Sequence, residues 1–317
     1  MTTTTPRVSV EPWDPSYSAP TGGGLSRPAE PGADTSGAVD VNRERSATDW
    51  EPLTPTTEPA GEVVFVDGVR RIDARVWVTD DSGTSAGVAA SFAAGAVRCD
   101  GRAEVVAAQV ERGLFSTADT YPVPVAGADY QPRNAAADDP DSLTAAVQER
   151  MRDLELRLVR DVAGDGLTVV DGPLRGRQAL PDVIGYVKSH RVRYLPPVAE
   201  GVVPQLEPGQ RTPLFLTQTT WSRWSWYLRL PLGVGGAVAH PWSGIVRCEA
   251  PADLEVDAAA ALADRSSVTL VSFASEAHKD GRAPQNLYPI AGLERHLRRL
   301  LGDQRFLYRQ LVAATTR

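Results

Sequence analysis

Two short apolar, β-branched runs, Glu62-Val63-Val64-Phe65-Val66 and Leu167-Thr168-Val169-Val170, each lead into Asp-Gly. Runs of this length bounded by turn dipeptides suit strands buried on both faces. Such strands lie in sheets covered by helices, and the chain between the two runs supplies one. Leu154, Leu158 and Val162 recur every four residues, with Val147 and Met151 on the same side. A helix is therefore predicted from about Leu143 to Val162, with Asp141-Ser142 as its N-cap and Gly164 closing it. The expected fold class is α/β, a mixed β-sheet flanked by helices.

Asp67-Gly68 reads as a turn, followed by strands at Ile72–Val78 and Ala86–Arg98 that form an antiparallel meander with the first run, and by a fourth strand at Ala103–Val110. Pro122, Pro124, Pro132 and Pro140 make residues 116–140 loop-like. Further strands are expected at Val183–Lys188, as a pair within the aromatic stretch Leu214–Leu230, and at Gly244–Glu249. Helices are expected near Leu254–Ala263, Tyr288–Leu301 and Gln304–Ala314. Residues 1–60 are rich in Pro, Gly, Thr and Ser without periodicity. They bury too little apolar surface to offset chain entropy and predict a disordered tail, with the folded domain over 61–317. In that tail Trp13-Asp14-Pro15 and Trp50-Glu51-Pro52 repeat an aromatic–acid–proline pattern, and Trp50 is expected to staple the tail to the fold.

The two cysteines, Cys99 and Cys248, form no Cys-x-x-Cys pair, which excludes a disulfide scaffold and a Cys-rich zinc site. No stretch approaches the roughly 18 apolar residues of a membrane span, and the N-terminus has no apolar h-region. A cytoplasmic protein without membrane association is expected. The net charge of −7 argues against a nucleic-acid partner until the chain is divided. Residues 1–150 hold 12 Lys+Arg against 23 Asp+Glu, whereas residues 151–317 hold 21 against 17. Of the 33 basic residues 31 are Arg, whose planar fork grips phosphate in a bidentate way.

A strand ending in Asp-Gly sets a carboxylate at a sheet edge. One such dipeptide is an ordinary turn. Two of them, on neighbouring strands, would bring Asp67 and Asp171 together, a costly pairing of like charges that a hard divalent cation compensates. Glu155 on the intervening helix is the candidate third carboxylate, ahead of Asp153 and Glu149. His296, on the helix opening at Tyr288-Pro289 beside Arg295, Arg298 and Arg299, is a candidate imidazole. Carboxylates suit Mg²⁺ or Mn²⁺, and the imidazole tilts the choice to Mn²⁺. Two ions about 3.5–4 Å apart would activate water and stabilise the leaving oxygen of a phosphodiester. Lys188 would offer a point charge to the scissile phosphate, and Arg191 and Arg193 would hold the nucleic-acid backbone.

In this order the motifs resemble the NurA nuclease family. The likeness runs through Phe65-Val66-Asp67-Gly68, the helix with Glu155, and Val169-Val170-Asp171-Gly172-Pro173-Leu174. It continues through Gly185-Tyr186-Val187-Lys188 and Gly244-Ile245-Val246-Arg247-Cys248-Glu249 to Tyr288-Pro289 and His296, so that it spans roughly residues 60–300. The resemblance implies an RNase H-like fold and Mn²⁺-dependent DNA cleavage, exonucleolytic from 5′ ends and endonucleolytic on single strands. It also implies a homodimer working with a HerA-type hexameric ATPase. Asp67, Glu155, Asp171 and His296 would be metal ligands, and Arg247 would join Lys188, Arg191 and Arg193 against DNA. The chain departs from the family at Val69 and Pro173, where a small hydroxyl residue usually follows Asp-Gly, and at Arg295, where a small residue usually precedes the His. Two other readings carry different expectations. A non-catalytic adaptor of the same fold would dock on the ATPase without binding Mn²⁺, and an RNA-directed nuclease would prefer RNA over a matched DNA strand.

Overall fold

A computed structural model describes residues 6–11, 38–125, 127–164, 166–176, 180, 182–190, 192–219, 221–232 and 240–316. In chain order the strands and helices are β1 (Arg7–Val10), β2 (Ala38–Asp40), β3 (Val63–Asp80), β4 (Gly83–Asp100), β5 (Arg102–Ser116), β6 (Val123–Val125), β7 (Ala128–Asn134) and α1 (Pro140–Val162). There follow β8 (Leu167–Asp171), β9 (Val183–Val187), α2 (Pro197–Glu200), β10 (Phe215–Gln218), β11 (Ser222–Arg229), β12 (Ile245–Pro251), α3 (Val256–Leu270), α4 (Tyr288–Leu300) and α5 (Gln304–Thr315). One mixed sheet runs β2-β10-β11-β12-β9-β8-β3-β4-β5-β7-β6, with β1 also on β3. Strands β3, β4 and β5 form an antiparallel meander, and β8 and β9 lie parallel to β3 on its other side.

Side chains alternate across a strand, and that alternation sorts the core. Val64, Val66, Val170 and Val183 face α1, whose Leu143, Val147, Met151, Leu154 and Leu158 form its buried stripe. Val63, Phe65, Leu167, Val169, Ile184 and Tyr186 face the other way, toward α3 and the start of α4 at Leu287 and Ile290. Farther along that second face, Val69 and Ala93 meet Leu293 and Leu297 of α4 and Leu301 just beyond it. Each buried leucine contributes about 1.5–3 kcal/mol. Arg71 and Arg112 donate to the carbonyls of Leu301 and Gly302, which satisfies acceptors left open at the C-terminal end of α4 and fixes the helix over β3.

Four expectations change. Asp67-Gly68 is no turn: β3 runs through it, with Asp67 opposite Gly95 and Gly68 opposite Ala94, so the first two expected strands are one strand of 18 residues. Gly68 is instead required by close packing, because a Cβ there would run into Glu155 Oε1, Met151 Cγ and the Ala93 carbonyl. The first helix opens earlier than expected, with the Asp139 side chain accepting from the N–H groups of Asp141 and Ser142 at 3.0 Å each and Pro140 in the first turn. Pro lacks the N–H that a first turn would leave unsatisfied.

The described parts of the expected tail are ordered. β1 pairs with β3 from Val76 to Thr79, and β2 pairs with β10. Backbone pairing with existing strands supplies hydrogen bonds that composition does not reveal. Trp50 is buried against Phe215 and Val41, with its indole N–H donating to the Val41 carbonyl at 2.9 Å. It staples this segment to the sheet as expected, whereas Trp13 lies outside the described residues. Residues 116–140, expected as loop, include the short strands β6 and β7. No helix among the described residues is long and apolar enough to cross a membrane.

Candidate metal centre

The parallel register Val66↔Val170 sets Asp67 of β3 beside Asp171, the last residue of β8. Both occupy positions of the α4 face, two residues beyond Phe65 and Val169. On β9, Tyr186 opposes Asp171, and Lys188 follows Tyr186 at the same parity. Lys188 Nζ donates to Asp171 Oδ2 at 3.0 Å. Glu294, on the flank of the buried Ile290–Leu293–Leu297 stripe of α4, completes the group. One carboxylate oxygen each from Asp67, Asp171 and Glu294 lies within 4.8 Å of the others.

Two oxygens in this cluster have no hydrogen-bond partner among the described residues. Asp67 Oδ1 accepts from the Gly68 N–H at 2.8 Å, but its buried Oδ2 has none, and neither has Asp171 Oδ1. Buried acceptors are almost always satisfied, so two orphans in one acidic group mark a place where a cation fits. Burial pushes the Asp67 carboxyl well above the usual carboxylate range. The Asp171 charge adds to this, the Lys188 ammonium opposes it, and Glu155 and Glu294 raise it further. The spacing matches that spanned by oxygens bound at about 2.0–2.6 Å to one hard divalent ion. The group therefore has the donor chemistry to hold such an ion.

Other expected ligands lie elsewhere. Glu155 projects from α1, which covers the opposite face of the sheet, and it is not in the converging group. Its carboxylate occupies the space that Gly68 leaves open and acts on Asp67 electrostatically. His296 is also outside the group. It lies two positions after Glu294, about 200° around the helix, and cannot share that residue's direction. Without an imidazole the donors are all oxygen, which serve Mg²⁺ and Mn²⁺ alike, so the basis for preferring Mn²⁺ disappears.

The expected nucleic-acid contacts divide similarly. Arg247 is buried, with Nη2 donating to Glu249 Oε1 at 3.0 Å and its guanidinium over the Tyr194 ring, so it does not offer its charge to DNA. Arg193 is exposed, pairs with Glu200 and lies over Trp242. Arg191 lies outside the described residues. Glu294 went unread because a charged residue on an exposed-looking helix is ordinary. Its signal was its place at the edge of the apolar stripe, four residues after Ile290.

Gly95 lets α4 come close enough for Glu294 to reach the aspartates. A Cβ at Gly95 would sit 2.9 Å from Leu297 Cδ2, 3.0 Å from Leu293 Cδ1 and 3.1 Å from the Ala107 carbonyl. Gly95→Ala is expected to destabilise the fold by about 1–3 kcal/mol through overpacking and to weaken divalent-cation binding as well. Denaturant unfolding and calorimetric titration of the same sample check both; unchanged cation affinity with lowered stability would detach α4 spacing from the site.

Compared with known proteins, the chain matches no protein-family model and no curated protein sequence.

Proposed function

We propose that this chain is a divalent-metal-dependent phosphodiester hydrolase, and more specifically a DNA nuclease, for which the resemblance to the NurA family, and not the donor set, points to Mn²⁺. In this reading it acts as a 5′–3′ exonuclease and single-strand endonuclease, with a HerA-type hexameric ATPase as partner. The observation that carries the reading is the convergence of Asp67, Asp171 and Glu294 around two orphaned carboxylate oxygens, with Lys188 beside them. The sheet supports it: the central order β5-β4-β3-β8-β9, a meander followed by two strands parallel to its first, is the arrangement expected of an RNase H-like core. The same reading takes the protein to be a cytoplasmic homodimer.

Asp67, Asp171 and Glu294 would hold the metal. A bound divalent ion, or a pair of them, supplies an activated water and stabilises charge on the phosphate. Lys188 is partly exposed and stands at the edge of the group, where its ammonium can leave Asp171 Oδ2 for a phosphate oxygen. Arg295, Arg298 and Arg299 project into solvent from the helix that carries Glu294, and they would hold the backbone of a nucleic acid without reading its bases.

The test is direct. Purified protein, alone and with its ATPase, is incubated with linear duplex and single-stranded DNA in Mn²⁺, Mg²⁺ or EDTA. Degradation is expected with Mn²⁺ or Mg²⁺, and none in EDTA; intact DNA under every metal sinks the enzyme reading. Matched RNA strands in the same assay separate an RNA-directed enzyme. The adaptor reading draws on one observation, that Lys188 pairs with Asp171 and Arg282 with Glu294, so the chain's own cations balance part of the cluster's charge. A calorimetric titration with no Mn²⁺ uptake would favour it.

A further inference from the structure

The loop between α3 and α4 reaches the metal centre from two sides. Arg282 sets both guanidinium branches on Glu294, Nη1 to Oε1 at 3.1 Å and Nη2 to Oε2 at 2.7 Å. The buried Asn286 offers Oδ1 to Lys188 Nζ at 2.9 Å, and that ammonium also holds Asp171. Asp280 joins the two arms. Its Oδ1 accepts from the Arg282 backbone N–H at 2.8 Å, and its Oδ2 accepts from Asn286 Nδ2 at 2.7 Å. Tyr186 Oη donates to the Gln285 carbonyl at 2.7 Å and ties the loop to β9.

We propose that Asp280 is the positioning residue of the metal centre, holding Arg282 against Glu294 and Asn286 against Lys188, so that Glu294 and Asp171 are spaced before a cation arrives. This inference rests on the metal-site reading above. The chemistry is that of an amide with two unlike ends. An ionised carboxylate only accepts, so Asp280 turns the Asn286 amide with Nδ2 toward itself and leaves Oδ1 for the ammonium of Lys188. On the other arm, the guanidinium fork fixes the direction of the Glu294 carboxylate, whose remaining lone pairs stay open for a metal. Partners of this kind orient ligands that would otherwise repel one another.

The experiment is calorimetric titration of Mn²⁺ into the full chain, as wild type, Asp280→Asn, Arg282→Gln, Asn286→Ala and the double variant Asp280→Asn/Asn286→Ala. Mn²⁺ affinity is expected to fall about 10- to 100-fold in Asp280→Asn and Arg282→Gln. Arg282 is half exposed, so Arg282→Gln keeps the test valid should Asp280→Asn fold poorly. The double variant is expected to lose less than the sum of its singles, because both act through Lys188. A wild type that binds Mn²⁺ alongside variants that bind it equally well, or alongside additive losses, overturns the positioning role alone. A wild type that takes up no Mn²⁺ overturns the metal-site reading and this inference together.

Discussion

Asp67→Asn is expected to abolish the proposed divalent-cation binding and nuclease activity while making the metal-free protein more stable. The lost metal removes several kcal/mol of transition-state stabilisation, so cleavage should fall by about a thousandfold or more. The gain in stability follows from burial. The Asp67 carboxyl is shut from water beside Asp171, with one oxygen unpartnered, and its folded pKa lies well above the ordinary value. The folded state therefore keeps a proton that the unfolded chain releases. Stability contributed by this group is present at acid pH and is lost as pH rises through the raised folded value. Asp67→Asn has no such proton to lose. In EDTA its melting temperature should exceed that of the wild type at neutral pH, and the gap should close on acidification. Melting curves with and without Mn²⁺ across pH check both halves; a variant less stable than wild type in EDTA contradicts the electrostatic account of the site.

Glu249→Ala is expected to cost about 3–5 kcal/mol of stability, the penalty for breaking a buried ion pair by removing one partner. Glu249 is fully buried. It accepts from Arg223 Nε at 2.8 Å and Arg247 Nη2 at 3.0 Å through Oε1, and from the Leu174 N–H at 2.9 Å through Oε2. Arg223 lies over the Trp221 and Tyr194 rings and Arg247 over Tyr194, which leaves both guanidinium groups desolvated. Their charge stays behind when the carboxylate goes. Leu174 stands three residues after Asp171, so a looser Leu174 also loosens the end of β8. Urea unfolding should show the loss; a change below about 1 kcal/mol would mean that the arginines find other acceptors.

The strands nearest the site were readable because their apolar runs are dense and β-branched, and Asp67 and Asp171 followed from them. The role of the Asp-Gly pairs was not uniform. Gly172 ends a strand with φ +106°, while Gly68 sits inside one to admit Glu155. A dipeptide signal does not distinguish a turn from close packing when the strand continues with Val69 and Arg70. Glu155 and Glu294 were exchanged for a topological reason. Sequence distance from Asp171 does not say which face of the sheet a helix covers, and of α1 and α4 it is α4 that lies on the face of Asp67. The shared face of Arg247 and Glu249 was legible, because they are two apart on one strand, but the burial of that face, which removes Arg247 from DNA, was not. The order of residues 7–10 and 38–40 was not legible, since their partners on β3 and β10 lie far along the chain.

Gly68 has a consequence beyond the packing it permits. At that position the sheet is a partition with no side chain on the α1 side, and Glu155 closes in against it while Asp67 stands on the other face. An ion among Asp67, Asp171 and Glu294 would therefore feel Glu155 as potential and never as a contact. The backbone at Gly68 separates the shape of the pocket from the field that fills it.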